Sequence, residues 1–182
     1  VLLCVHGWPE LAYSWRDQVS HFAARGWRVV ALDVRGYGQS SKPEAVEAYT
    51  LRELAGDVAA VAAAWSEEPV VLLGHDWGAP IVYATTLLHP ERVRAVAGLS
   101  VPFAPPSELA FPELAAQLYA GRFFYQLYFQ APGVAEAEFE ADVDAALRGI
   151  YWSLSGNAPL DHWLRERPPT ETLLQGIEVP DP

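Results

Sequence analysis

At 182 residues, with 51% hydrophobic and 19% charged positions, the chain is long enough to bury a sizeable core and has the composition of a globular domain rather than a disordered one. A formal net charge of −11 sets up a field that repels nucleic acid and anionic lipid, so neither is expected as a partner. The single cysteine, Cys4, excludes an intrachain disulfide and, inside an apolar run, reads as a small core side chain, which points to a reducing, cytoplasmic setting.

Short apolar runs predict buried strands over residues 1–5, 27–32, 70–73 and 93–99. Between them, apolar residues at helical spacing predict helices over residues 11–24, 51–65 and 80–88. Strand and helix alternate, the pattern of an α/β chain whose parallel sheet carries helices on both faces. After Ser100 the prolines 102, 105, 106 and 112 interrupt the chain and no further strand run follows. Residues 1–102 are therefore read as a partial α/β sheet domain and residues 103–182 as a helical region. The latter holds the aromatic cluster Phe123, Phe124, Tyr125, Tyr128 and Phe129, a turn at Pro132-Gly133, and an acidic helix over residues 135–149. No run reaches the roughly 20 apolar residues of a membrane helix, so no span is expected. Methionine is absent and Val1 already lies in a strand-like run, so the sequence is expected to be a portion of a longer chain.

Gly74-His75-Asp76-Trp77-Gly78 follows one predicted strand directly and precedes a predicted helix, the form of a nucleophile elbow. Such a turn strains its central residue, and the positions two before and two after must be small; Gly74 and Gly78 are. The nucleophile is then the Asp76 carboxylate, near a helix N-terminus whose dipole favours an anion. The alternative is an Asp capping that helix. His6-Gly7-Trp8-Pro9 follows the first strand, where proteins with such an elbow contribute to an oxyanion hole; the N–H groups of Trp8 and Trp77 are the candidate donors. Gly-x-Pro after a strand is also an ordinary turn. Asp33-Val34-Arg35-Gly36-Tyr37-Gly38-Gln39-Ser40 is a Gly-rich loop without the endings or spacing of a phosphate loop.

With these segments in order, the chain resembles an epoxide hydrolase of the α/β-hydrolase superfamily over essentially its whole length. His6-Gly7-Trp8-Pro9-Glu10 with Ser14-Trp15-Arg16, the Asp33 to Ser40 loop and the Asp76 pentapeptide carry the likeness. So does Phe124-Tyr125-Gln126-Leu127-Tyr128-Phe129-Gln130-Ala131-Pro132-Gly133, similar to a cap segment bearing one of the family's two ring-opening tyrosines, with Ala131 where members often have Glu. The resemblance implies an α/β-hydrolase fold with part of a helical cap, Asp76 as the nucleophile that opens the epoxide into an alkyl ester, and Tyr125 as the acid. Helical spacing alone does not separate Tyr125 from Tyr128. It further implies Trp8 and Trp77 as oxyanion donors and a pocket drawn from His6, Trp8, Pro9, Trp77, Phe103 and Tyr125. Substrates are a small apolar epoxide and water, and neither metal nor organic cofactor enters.

The family's catalytic acid, C-terminal histidine and second cap tyrosine have no matching positions, so this chain alone is expected not to complete turnover. His162 reads as surface or cap packing, His75 points away from the reacting group, and His21 and His89 have no partner motif. Two rival readings stand beside the first. A haloalkane or haloacid dehalogenase uses the same elbow aspartate but surrounds its leaving halide with N–H donors, whereas Tyr125 supplies a proton. A non-catalytic binding module of the same fold has no use for Asp76 or Tyr125.

Overall fold

Four apolar runs become four strands: β1 Leu2–Val5, β2 Val29–Leu32, β3 Val70–His75 and β4 Val93–Leu99. All pair in parallel in the order β2-β1-β3-β4, with Leu2 opposite both Val29 and Val71. The computed structural model describes residues 1–105, 107–159 and 165–181, which fall into two compact units, Val1–Pro105 and Pro106–Pro182. The reading of His162 lies outside the described residues.

In the first unit, β1 is buried on both faces, and that is why its sequence is continuously apolar. Leu3 and Val5 face a core shared with Val58 and Ala62 of helix α2 (Leu51–Trp65) and Ile81 and Val82 of helix α3 (Gly78–Leu88). Leu2 and Cys4 face the opposite core, with Trp15 and with Val19 and Phe22 of helix α1 (Arg16–Ala23). Burial pushes the Cys4 thiol up to about 12, so it stays a neutral packing group. α1 and α3 leave the sheet toward opposite faces, so the strand order reverses between β1 and β3 and their loops meet at the strands' carboxyl ends. Open α/β sheets form their ligand crevice at such a point.

Several elements differ from the sequence expectation. The single helix expected over residues 11–24 is a 3-10 turn, Ala12–Trp15, whose first N–H is donated to Asp33 Oδ1 at 2.8 Å, followed by α1. β2 starts at Val29 rather than residue 27, since the Trp27 N–H closes the end of α1 on the Phe22 carbonyl after Gly26 turns at φ 83°. β3 runs on to His75, and α3 begins at Gly78. β4, expected to be buried, is an edge strand with most of its residues exposed.

The second unit contains α4 (Phe111–Leu118), α5 (Tyr125–Tyr128), α6 (Val134–Glu140) and α7 (Val143–Ser153). The acidic helix expected over residues 135–149 is split, because the Asp142 side chain accepts the Ala145 N–H and starts α7 afresh. Charged groups pin this unit as much as apolar burial does. Glu138 accepts the N–H groups of Leu173 and Leu174, both at 3.1 Å, and the Arg167 guanidinium lies 4.2 Å from the Phe123 ring centre while donating to Glu171. Together Arg165 and Arg167 hold the Glu171 carboxyl down at about 2. No helix among the described residues is long and apolar enough to cross a membrane.

Candidate active site

Asp76 sits between β3 and α3 at φ 51°; it and Ser100 are the two non-glycine residues with positive φ among those described. Such a conformation costs about 1–3 kcal/mol and persists only where the surroundings enforce it. Here the enforcement is packing against three glycines. A Cβ at Gly74 would strike the Gly78 carbonyl and come within 2.7 Å of Val82; one at Gly78 would strike the Val5 carbonyl. A Cβ on Gly7 would collide with the Asp76 carboxylate and lie 2.7 Å from the Trp77 nitrogen. The loop after β1 and the elbow after β3 are thus in direct contact, and the Asp76 N–H is held by the Leu99 carbonyl at 3.2 Å.

Within this contact the Trp8 N–H donates to Asp76 Oδ1 at 2.9 Å. The carboxylate makes no capping bond to α3, whose N-terminal position Trp77 also has no side-chain cap. One carboxylate oxygen is therefore held and oriented. Trp77 is 42% exposed beside it, and the Trp8–Pro9 peptide is cis.

His6 is 1% exposed beneath this loop. Its Nε2 accepts the Val34 N–H at 3.0 Å, so Nδ1 carries the proton and donates to the Gly7 carbonyl at 2.8 Å. Tyr37 packs edge-on against it at 5.0 Å. Burial, then the negative charge of Asp76, pushes the Tyr37 phenol up to about 12. Sequence reasoning gave Tyr37 no role beyond its motif, and its proximity to Asp76 had no local signal. It also missed a second pair: His75 Nδ1 lies 3.0 Å from Glu10 Oε2, so the residue before Asp76 is tied to the loop of Trp8.

The Gly-rich loop after β2 braces the site from below. Asp33 accepts the N–H groups of Ala12 (2.8 Å) and Gln39 (3.1 Å), which hold its carboxyl below the usual range, and Ser40 Oγ donates to its carbonyl. Arg35 grips Asp57 with a two-pronged fork at 2.8 and 2.6 Å and donates to the Ala48 carbonyl. After β4, the Tyr83 hydroxyl donates to the Val101 carbonyl at 3.2 Å, and Phe103, 51% exposed, meets the Tyr83 ring edge-on at 5.5 Å.

In the second unit the two tyrosines that spacing left equivalent have different partners. Tyr128 donates to Glu138 Oε2 at 2.9 Å, and burial followed by that bond pushes its phenol up to about 12. The Tyr125 oxygen instead accepts from Gln126 Nε2 at 2.8 Å. Phe124 stacks on Tyr119 at 4.0 Å, and Phe129 meets Tyr125 edge-on at 5.7 Å. No group of three or more His, Cys, Asp or Glu among the described residues could hold a metal ion.

A family model described as the alpha/beta hydrolase fold matches residues 1–163. Over 154 residues the chain is 45% identical to Epoxide hydrolase A of Mycobacterium tuberculosis, covering 85% of this chain and 48% of that protein. It is 43% identical over 151 residues to Bifunctional epoxide hydrolase 2 of Sus scrofa, covering 83% of this chain and 27% of that one. Among solved structures, an epoxide hydrolase from an endophytic Streptomyces superposes with a TM-score of 0.92 at 42% identity, over 99% of this chain and 55% of its own. Epoxide Hydrolase A from Mycobacterium thermoresistibile gives 0.90 at 40% identity, over 100% and 57%. The chain spans about half or less of the length of these relatives. With a parallel sheet, an aspartate on a strained strand-to-helix turn and a family match that covers most of its residues, the chain belongs to the α/β-hydrolase fold family.

Proposed function

We propose that the protein is an epoxide hydrolase in which the elbow residue Asp76 attacks the epoxide. The observation that carries this is the Trp8 N–H on Asp76 Oδ1 at 2.9 Å, which leaves Oδ2 as the attacking oxygen. Oδ2 bonds to a ring carbon, the carbon–oxygen bond of the epoxide breaks, and the ring oxygen takes a proton from Tyr125. Asp76 becomes an alkyl ester whose carbonyl oxygen is Oδ1, already facing one donor. When water then attacks the ester carbon, the Trp8 and Trp77 amides stabilise the charge that develops on Oδ1. An aspartate suits this reaction because an epoxide has no carbonyl for a serine to attack, while a carboxylate can displace at carbon and leaves an ester that water can hydrolyse.

Support for Tyr125 as the acid is twofold. Tyr128 commits its proton to Glu138 and so is the poorer donor, and the segment 124–133 resembles the cap segment that bears a ring-opening tyrosine at the place of Tyr125. Trp8, Pro9, Trp77 and Phe103 are assigned to an apolar substrate surface, which favours a small uncharged epoxide. His6 is assigned to fixing the loop beneath that surface. Hydrolysis of the ester calls for a histidine base, and the two histidines flanking the elbow, His6 and His75, are engaged with Val34, Gly7 and Glu10. We assign residues 1–102 to the hydrolase core and 103–182 to a helical cap. The names of the relatives at 43–45% identity support the substrate class.

The test is direct. Incubation of the full chain with styrene oxide, followed by intact-mass measurement and peptide mapping, is expected to show one adduct on Asp76, abolished in Asp76→Asn. A chain that releases bromide from a bromoalkane and forms no epoxide adduct would instead be a dehalogenase, and the absence of any adduct would overturn the nucleophile assignment.

A further inference from the structure

Two hydrogen bonds described above join the loop of Trp8 to the elbow of Asp76. One is the Trp8 N–H on Asp76 Oδ1 at 2.9 Å; the other is Glu10 Oε2 with His75 Nδ1 at 3.0 Å. Each bond joins a residue of the 7–10 turn to one of two consecutive residues, His75 and Asp76. The turn itself is closed by the Glu10 N–H on the Gly7 carbonyl at 3.0 Å, so displacement of Glu10 moves the peptide that carries the Trp8 amide. Both side chains of the second pair are partly shielded, at 35% and 22% exposure.

The two joints respond differently to the chemistry proposed above. While Asp76 is a carboxylate, the first is charge-assisted, and such bonds are roughly twice as strong as neutral ones. Once Asp76 is an ester its oxygen is a neutral acceptor, and the first joint weakens at the stage when the Trp8 N–H is needed to receive the oxyanion. The second joint involves neither oxygen of Asp76 and is unaffected.

We propose that Glu10 and His75 form a positioning pair that keeps the Trp8 amide on the Asp76 carbonyl oxygen after the aspartate has lost its charge. The pair touches no reacting atom. It is inert in the first half-reaction, where the carboxylate holds the loop by itself, and decisive in the second. This rests on Asp76 forming an ester, but the position of the amide can be tested without any reaction.

Asparagine tolerates positive φ and offers a neutral oxygen of the same shape, so Asp76→Asn mimics the ester stage. Amide hydrogen exchange at Trp8 is measured by NMR in the unsubstituted chain, Glu10→Ala, Asp76→Asn and the double variant. Glu10→Ala is expected to speed exchange less than about 3-fold when Asp76 is present and more than about 10-fold when Asn is, the scale of a lost charged hydrogen bond. Glu10→Gln, which keeps an acceptor for His75, is expected to restore protection. His75→Leu removes the pair from its other side and is expected to reproduce the Glu10→Ala result, so the outcome does not hang on one variant's folding. An equal effect of Glu10→Ala in both backgrounds, or none in either, overturns the proposal.

A second arm reads the chemistry. The chain is loaded with styrene oxide and treated with hydroxylamine, whose nitrogen attacks the Asp76 ester carbon. The acyl–oxygen bond breaks, the departing alkoxide takes a proton from nitrogen, and diol and an Asp76 hydroxamate result. Glu10→Ala is expected to slow this cleavage about 10-fold while changing loading less than 3-fold; equal slowing of both steps counts against the pair. A chain that never loads defeats the nucleophile assignment, and the exchange measurement still decides on the pair.

Discussion

Gly7 is a position where the site tolerates little change. Its missing Cβ makes room for the Asp76 carboxylate and the Trp77 amide together, so Gly7→Ala forces apart the two loops that meet there. Displacing reacting groups by about an ångström costs on the order of 100-fold in rate. We expect Gly7→Ala to lower the rate of Asp76 adduct formation by that factor while far-UV circular dichroism stays that of the parent. At Tyr128 the relevant variable is pH. Its phenol rises from an ordinary 10.0 to about 12 because burial and the Glu138 bond favour the neutral form. The stabilisation is fully present below pH 10 and is lost as pH climbs through 12. Tyr128→Phe, with no proton to lose, is expected to flatten the fall in melting temperature across that alkaline window relative to the parent chain.

Within the elements, the division between what could and could not be foreseen follows the range of the interactions. The strand runs and α2 were legible because burial on two faces or on one stripe writes its period into neighbouring residues. The elbow was legible because close backbone approach demands glycine at fixed offsets, and Gly74 and Gly78 supply it. The break between α6 and α7 was locally written too, in the Asp142 that caps α7, and was obscured by the helical composition on either side. Asp142→Ala is expected to cost about 1 kcal/mol of stability in urea unfolding, the usual worth of such a cap. By contrast, Glu10 with His75 and Glu138 with the Leu173 and Leu174 amides join residues far apart in the chain, and no spacing rule announces them. The Asp33 carboxylate that accepts the Ala12 N–H at the start of the expected helix over residues 11–24 likewise lies in another loop.

For the chain as a whole and by itself, the side of β4 that no described strand pairs matters for behaviour in solution. This edge strand leaves Ala95, Ala97 and Leu99 exposed, and an unprotected edge invites pairing with another chain. The net charge of −11 opposes such association at low salt and is screened over about 10 Å at 0.1 M. Light scattering is therefore expected to show self-association that increases with salt, and Ala97→Lys, which places a charge on the edge, is expected to reduce it more than Ala24→Lys on the surface after α1. The order β2-β1-β3-β4 carries one more implication. β1 pairs with β2 and with β3, whose register sets Val5 against Gly74 across some 70 intervening positions. Parallel pairings over such separations form late in folding. During synthesis Asp76 therefore emerges as an extended, hydrated carboxylate facing no amide, and meets the Trp8 N–H only when β1, long since made, receives β3. If Asp76 is the nucleophile proposed above, an epoxide is harmless to the nascent chain, and a denatured sample is expected to form no Asp76 adduct with it.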